Sequence, residues 1–322
     1  MRVVTPQTPS VALRAGFSAA ELASDQDLSI ADLPVLLEAA AVIRKEPDAY
    51  RQSLHGRTLA LLFEKSSLRT RVTFEVAIKS LGGDAIYYDC RNDPLGQRET
   101  VADLARNLER WVECIAARTF QQATVDELAH WAKIPVINAL SDRYHPCQAL
   151  ADVLTIRDLF GRLMGIKLAY VGDGNNVAHS LLLTGAKVGL TVDVATPLSY
   201  QPDPEIVRIA TGIASQTGGS IRIGNDPAEA VVGAHVVYTD VWASMGSEQE
   251  ADERRQHFAP YRVTEELFRK ARPEAVFLHC LPAHRGEEVE AAVIDSPRSA
   301  VFHQAENRLH AQKALLWLLL AR

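Results

Sequence analysis

Residues 58–83 read TLALLFEKSSLRTRVTFEVAIKSLGG and carry a strand signal followed directly by a helix signal. The apolar run TLALLF predicts a short buried strand. Ser67 is a favourable N-cap for the helix that follows, whose apolar face runs from Phe74 to Leu81 before two glycines end it. A strand that passes directly into a helix in this way is typical of α/β folds.

The same alternation continues along all 322 residues. Apolar runs predict nine strands, namely TLALLFE, DAIYYD, ECIAA, PVINAL, IKLAYVG, TVDVATP, SIRIG, HVVYTDVW and AVFLHCLP. Helix-like segments between them predict parallel sheets covered by helices. Because nine strands exceed one compact sheet of usual size, we predict two α/β domains, each a parallel sheet flanked by helices. We place the domains at residues 1–146 and 147–302, with a C-terminal helix at about 303–322 completing the first.

Composition and charge exclude several classes of protein. The formal net charge of −6 gives the molecule no basic field for nucleic acid, so any anion site must be local. No apolar run is long enough for a signal peptide or a membrane span. Four cysteines lie far apart without a C-x-x-C pair, which argues against a zinc site or a disulfide framework and for a reducing cytoplasm.

The turn between the first predicted strand and its helix has the chemistry of an anion site. A helix N-terminus offers N–H groups and partial positive charge. Ser67, Arg69 and Thr70 add hydroxyl donors and a guanidinium group that matches phosphate oxygens. Because the turn lacks the glycine spacing of a Walker motif, a nucleoside triphosphate is disfavoured. A capped helix with solvated basic residues remains the alternative for this turn considered alone.

Polar residues also follow the other predicted strands, at the strand ends where α/β proteins bind their ligands. The positions in question are Arg118, His145, Gln148, Asp240, Cys280 and Leu281, with Arg308 near the last helix. Each could have a structural role alone: a histidine is more often structural than catalytic, and Asp240 could cap a helix. Their joint placement favours a site. No histidine has ligand spacing, so we predict no metal site.

Two alternative functional classes are a dinucleotide-binding enzyme and a non-catalytic anion-binding module. YVGDGNNVAHS follows a strand and opens a helix, as a dinucleotide-binding turn does. The fingerprint G-x-G-x-x-G fails here, because Val177 stands where the third glycine belongs and Thr196 where an acidic residue is needed. A non-catalytic anion-binding module is disfavoured because Arg118, His145 and Cys280 are all present.

Six segments together resemble the ornithine carbamoyltransferases of the aspartate/ornithine carbamoyltransferase superfamily. They are FEKSSLRTRVTFE, HPCQALAD, DGNN, DVWASMG, HCLPAHRGEE and AENRLHAQKALL, in an order and spacing that fit from about residue 57 onward. The resemblance implies two α/β domains, the first binding carbamoyl phosphate and the second L-ornithine, with the active site in the interdomain cleft. It also implies a homotrimer that forms citrulline without a metal or cofactor. The same site would serve arginine biosynthesis or arginine breakdown, and the sequence leaves both open.

The resemblance also implies residue roles. Carbamoyl phosphate would bind at Ser67, Leu68, Arg69, Thr70, Arg118, His145 and Gln148, with Cys280, Leu281 and Arg308 also touching the carbamoyl group. Ornithine would bind at Asn176, Asp240, Ser244 and Met245. The expected catalytic residues are Arg118, His145, Asp240 and Cys280. Cys280 would accept a proton from the amine or orient it, without forming a covalent intermediate. Another carbamoyl acceptor, such as putrescine or acetylornithine, is the alternative.

Two positions depart from the family pattern. Leu68 replaces the usual threonine, which matters little if that position works through its backbone N–H. Pro94 stands where relatives often carry a side chain that reaches a neighbouring subunit, and proline can supply no such donor. Gln97 and Arg98 are the candidate substitutes.

Overall fold

The computed structural model of the chain describes residues 10–242 and 251–321. The nine predicted strands are confirmed. They are β1 (Thr58–Phe63), β2 (Asp84–Asp89), β3 (Cys114–Arg118), β4 (Val136–Leu140), β5 (Lys167–Val171), β6 (Thr191–Ala195), β7 (Ser220–Gly224), β8 (Val236–Thr239) and β9 (Val276–His279). They form a four-stranded sheet of order β2-β1-β3-β4 and a five-stranded sheet of order β7-β6-β5-β8-β9.

Helices connect the strands. They are α1 (Ser10–Ala15), α2 (Asp32–Lys45), α3 (Pro47–Tyr50), α4 (Leu68–Ser80), α5 (Val101–Leu108), α6 (Gln122–Trp131), α7 (Pro146–Phe160), α8 (Asn176–Lys187), α9 (Pro204–Thr217), α10 (Pro227–Val231), α11 (Ala251–Phe258), α12 (Glu265–Arg269), α13 (Ala291–Ile294) and α14 (Val301–Leu320). Within the described residues, no helix combines the length and apolarity that a membrane crossing requires.

Two compact units divide the described chain. The first comprises residues 10–117, 126–137 and 309–321, and the second comprises 118–125, 138–242 and 251–308. Residues 138–146 therefore belong to the second unit, and the boundary between the units crosses the C-terminal helix α14 near residue 308. The functional domains expected at 1–146 and 147–302 stay a prediction.

The first unit is built around β1, whose residues after Thr58 are all buried. Strand β1 pairs in parallel with β2 from Thr58 opposite Asp84 to Phe63 opposite Asp89. Helix α4 turns Phe74 and Ile78 into the core, as the apolar spacing predicts. The end of α14 packs in this unit, where the Trp317 ring lies 5.3 Å from that of Tyr50 in an edge-to-face arrangement.

The second unit is a doubly wound sheet. Strand β5 pairs in parallel with both β6 and β8, so the chain leaves β5 in one direction and later returns on its other side. The strand order therefore reverses between β5 and β8, and ligands of such sheets bind beyond the carboxyl ends of the strands at this point. Asp240 follows β8 at that edge, and Cys280 follows the neighbouring strand β9.

Candidate active site

The turn after β1 forms the predicted helix N-terminus in the first unit. Ser67 has an extended backbone, and its hydroxyl accepts a hydrogen bond from the Thr70 N–H at 3.3 Å. The same hydroxyl donates to Thr70 Oγ1 at 3.0 Å. Leu68 opens the helix with its side chain 78 % exposed, so its side chain adds no polar contact that the usual threonine would supply. The turn is a capped helix N-terminus, and the predicted anion contact through its backbone N–H groups stays a prediction.

Arg71 in the same motif has structural partners. Its guanidinium donates to Glu75 at 2.7 Å one helical turn away, and it lies 3.8 Å from the centre of the Tyr87 ring on β2. An ion pair of this spacing and a cation–π contact are both usual on exposed helix faces. Of the two arginines in LRTR, Arg69 is therefore the one left to face an anion.

A buried cationic cluster lies in the second unit. Arg118 is the last residue of β3, His145 precedes α7, and Arg308 lies on α14; all three side chains are at most 5 % exposed. The Arg308 Nη1 donates to Gln148 Oε1 at 3.0 Å. Burial lowers the pKa of His145 well below its usual value, and the charges of Arg308 and Arg118 lower it further. His145 is therefore neutral at physiological pH and can donate a hydrogen bond without adding charge.

The backbone of His145 is held in place by α8. Its N–H donates to the Ser180 hydroxyl at 2.8 Å, and Pro146 occupies the first position of α7, where a missing N–H costs nothing. Together these features place the imidazole and the Gln148 amide side by side at the start of one helix. The segment HPCQ thus sets the spacing of the two side chains, and contacts from α8 and α14 hold them in place.

A second cluster forms around Asp240 at the switch point. Cys280 Sγ donates to Asp240 Oδ1 at 2.9 Å, and Asn175 Nδ2 donates to Asp240 Oδ2 at 2.9 Å. Burial raises the pKa of the Cys280 thiol well above its ordinary value, and the Asp240 charge and hydrogen bond raise it further. The thiol is therefore protonated at neutral pH. Of the two roles expected for Cys280, orienting the amine suits this environment and accepting its proton as a thiolate does not.

Leu281 has a left-handed backbone, with a φ of 57° that is rare for a branched side chain. Its N–H donates to His279 Nδ1 at 2.9 Å. Because that ring nitrogen accepts, the proton of the neutral ring lies on Nε2, which is 3.2 Å from the buried Glu288 carboxylate. Glu288 and His279 thus fix the backbone that carries Cys280 and Leu281.

Asn176 begins α8, and its Nδ2 donates to the Ser141 carbonyl at 2.6 Å, beyond β4. Ser244 and Met245, the remaining expected ornithine contacts, lie outside the described residues. The nearest described residue before them, Trp242, is buried, and its carbonyl accepts a hydrogen bond from Arg254. Arg254 also pairs with Asp173 of the DGNN segment, which gives that aspartate a structural role.

Two groups of side chains in the described residues could offer three ligand atoms to a metal. They are Asp240 with His279 and Cys280, and His284 with Glu287 and Glu288. In the first group His279 and Cys280 already hydrogen-bond to protein partners, and the high thiol pKa opposes the thiolate that a metal requires. The expectation that the protein needs no metal stays a prediction.

Three residues near the site were not found from the sequence. Asn175 caps α8 through the N–H groups of Val177 and Ala178 and also holds Asp240. Asp152 accepts from Gln148, and Gln304 donates to the same carboxylate oxygen. Asp152 lies four residues after Gln148 on one helix, so the spacing alone could have revealed that pair. Gln304 approaches from another helix and has no such signal.

Comparison with known protein families agrees with this arrangement. The model for the carbamoyl-P binding domain of aspartate/ornithine carbamoyltransferases matches residues 21–158, and the model for their Asp/Orn binding domain matches residues 164–319. The chain belongs to the aspartate/ornithine carbamoyltransferase family. This membership leaves the dinucleotide-enzyme alternative without support.

Individual members of the family are similar over nearly their whole length. An ornithine carbamoyltransferase of Thermococcus kodakarensis is 51 % identical over 297 residues, covering 92 % of this chain and 94 % of the relative. One of Symbiobacterium thermophilum is 56 % identical over 281 residues, covering 87 % and 89 %. The solved structure of the ornithine carbamoyltransferase from Pyrococcus furiosus superposes with a TM-score of 0.91 at 50 % identity, covering 94 % of this chain and 97 % of that one.

Proposed function

We propose that this protein transfers the carbamoyl group of carbamoyl phosphate to the side-chain amine of L-ornithine, giving L-citrulline and phosphate. The observation that carries the proposal is the identity of 51 % with a named ornithine carbamoyltransferase over 92 % of the chain. The clusters around His145 and Asp240 supply the chemistry that this reaction needs. The location of the site in an interdomain cleft stays part of the proposal.

The carbamoyl donor must be bound and made more electrophilic. Negative charge grows on the carbonyl oxygen as the amine attacks, and one donor aimed at that oxygen is typically worth about 3–4 kcal/mol. Arg118 and the neutral His145 are the proposed donors in the second unit, with Thr70 in the first. The N-terminus of α4 and Arg69 stabilise the departing phosphate as an anion.

The amine acceptor presents a separate problem, since an alkyl amine has a pKa of about 10.4 and only about one molecule in two thousand is neutral at pH 7. Asp240 is the proposed anchor for the substrate's cationic form. The protonated Cys280 orients the nitrogen beside it, and the amine attacks the carbonyl directly through a tetrahedral intermediate. Cys280 forms no covalent bond in this scheme.

Assembly and physiological role belong to the same proposal. None of the four cysteines, all of which lie in the described residues, forms a disulfide, which suits a reducing cytoplasm. A relative from Pyrococcus furiosus that is 50 % identical is named an anabolic ornithine carbamoyltransferase, which supports a role in arginine biosynthesis. The expected homotrimer has a candidate contact surface in the first unit, a cavity of about 300 Å³ lined by Ile86, Pro94 and Trp111 among others. Pro94 supplies an apolar wall there.

The test is a colorimetric citrulline assay with ornithine, putrescine, acetylornithine and aspartate offered as acceptors. We expect strong selectivity for ornithine in wild type and a large loss of kcat in Cys280→Ser. Cys114→Ala is the matched control, because that cysteine is buried in β3 and is not among the residues proposed to bind substrate. A preference for another acceptor, or full activity in Cys280→Ser, would contradict the proposal. Light scattering of the purified protein tests the trimer.

A further inference from the structure

A buried carboxylate, Asp152, connects the proposed carbamoyl site to the strand that carries Cys280. It is fully buried on α7, one turn beyond Gln148. Its Oδ1 accepts from Gln148 Nε2 at 2.8 Å and from Gln304 Nε2 at 2.7 Å. One oxygen atom therefore accepts hydrogen bonds from the NH₂ groups of two carboxamides on two different helices.

The opposite ends of the two carboxamides point to functional positions. Gln148 Oε1 accepts from Arg308 at 3.0 Å, and Gln304 Oε1 accepts from the backbone N–H of His279 at 2.9 Å. His279 is the last residue of β9 and directly precedes Cys280. Gln304 also donates to the Tyr238 hydroxyl at 3.1 Å. All of these residues are at most 3 % exposed, so water cannot replace a lost partner.

We propose that Asp152 is a positioning residue that holds the Gln148 carboxamide with its oxygen toward the carbamoyl NH₂ and Arg308. The inference rests on the proposed function, in which Gln148 receives the carbamoyl group. The physical reason is that a carboxamide has an acceptor end and a donor end of almost equal shape. The Asp152 Oδ1 accepts from both carboxamides, so it selects the rotamer that turns the Gln148 NH₂ inward and leaves the Gln148 oxygen facing the substrate.

The opposite rotamer would impair binding in two ways. It would place the Gln148 NH₂ against the Arg308 guanidinium, with two donors facing each other. It would also present a donor to the carbamoyl NH₂, which needs an acceptor. Leaving buried donors unpaired is costly, and we expect the loss of this acceptor to weaken carbamoyl phosphate binding about ten- to a hundredfold.

Acetyl phosphate provides a sharp probe, because it replaces the carbamoyl NH₂ with a methyl group and keeps the carbonyl and the phosphate. The measured quantity is the ratio of the inhibition constant of acetyl phosphate to the KM for carbamoyl phosphate. We expect Asp152→Ala and the more space-filling Asp152→Leu to lower this ratio about tenfold or more, because only the carbamoyl group loses a partner. A merely structural role would weaken both ligands by the same factor.

Two further variants test the role of the acceptor. Asp152→Asn keeps one oxygen for both carboxamides, so its ratio should stay within about threefold of wild type. In a Gln148→Ala background, Asp152→Ala should change the ratio no further. Asp158→Ala is the matched control for packing, since Asp158 lies on the same helix and accepts from Asn307, the neighbour of Arg308, at 3.1 Å. It should leave the ratio unchanged.

The outcomes separate this inference from the proposed function. An equal loss for both ligands in Asp152→Ala and Asp152→Leu overturns the positioning role, as does a tenfold lower ratio in Asp152→Asn or in Asp158→Ala. If neither Asp152→Ala nor Asp152→Leu folds, the Asp152→Asn ratio alone decides. A wild-type protein that makes no citrulline refutes the proposed function instead, and the two ligands can then still be compared by calorimetric titration.

Discussion

Replacing Asp152 by asparagine removes a carboxyl group whose pKa is raised by the fold. Burial raises the pKa of Asp152 to about 7, although the hydrogen bonds from Gln304, Gln148 and Tyr238 and the charge of Arg308 act in the opposite direction. In the unfolded chain the same carboxyl has its ordinary pKa of about 3.8. The folded protein therefore keeps a proton through a pH range in which the unfolded chain has lost it.

The sign of the effect follows from this proton difference. Since the folded state binds more protons between about pH 4 and 7, the free energy of unfolding falls as the pH rises through that window, by about 1.4 kcal/mol per pH unit. Because the folded carboxyl is already half ionised at pH 7, the contribution of Asp152 between pH 5 and 7 amounts to about 2 kcal/mol. Asp152→Asn has no such dependence, so its stability relative to wild type should improve by about 2 kcal/mol over those two pH units.

Urea denaturation followed by circular dichroism at pH 5, 6 and 7 measures this difference directly. Comparing the two proteins at each pH cancels the titration of groups that both contain. Asp295→Asn is the control, because the Arg285 guanidinium lowers the pKa of that exposed carboxyl and its effect should be constant above pH 5. A constant difference between Asp152→Asn and wild type from pH 5 to 7 would refute the reasoning, since it would mean that Asp152 is ionised throughout.

Four further outcomes are expected. Asp240→Asn should increase the rate at which iodoacetamide alkylates Cys280 at pH 8. The thiol stays buried in this variant, but it loses the charge and the hydrogen bond that also raise its pKa. An unchanged rate would contradict the hydrogen bond between Cys280 and Asp240. Asn175→Ala removes the cap of α8 and a hydrogen bond to Asp240. Calorimetry should show that the free energy of unfolding falls by about 1 kcal/mol, and the KM of the variant for ornithine should exceed that of wild type. Since burial lowers the pKa of His145, the unfolded chain takes up a proton below about pH 6.5 that the folded protein does not bind, and stability falls as the pH drops. His145→Gln should reduce this loss of stability, which urea titrations at pH 6 and 5 would measure. The logarithm of kcat/KM for ornithine should rise between about pH 6 and 8, following deprotonation of the amine, and a flat profile would argue against direct attack.

Much of the fold could be predicted because its signals are local. All nine strands appear where short apolar runs predict them, and Ser67 caps α4 as its position before the helix indicates. Asn175 shows where local reasoning stops. Its role as a helix cap can be read from the residues that follow it, but its bond to Asp240 joins residues 65 positions apart. Nothing in the DGNN segment indicates that second contact.

The candidate site also has features that the sequence predicts and features that depend on distant contacts. The strand-end position of Arg118 and the family motifs that contain His145, Gln148, Asp240 and Cys280 predicted these site residues, and the fold places them in two clusters of the second unit. The protonation states of these side chains could not be predicted from the sequence, because they depend on how completely each group is removed from water. The choice of an orienting role for Cys280 over proton acceptance is favoured only once its burial beside a carboxylate is known.

The order of strands and helices, the capped anion-binding turn and the family membership follow from the sequence alone, since each depends on residues close together in the chain or on motifs of fixed spacing. Tertiary structure decided which polar groups meet. Asp152 and Gln304 are separated by 152 positions, and Cys280 and Asp240 by 40. The energy of a buried charge or amide depends on partners brought together by packing in three dimensions, and no local pattern records them.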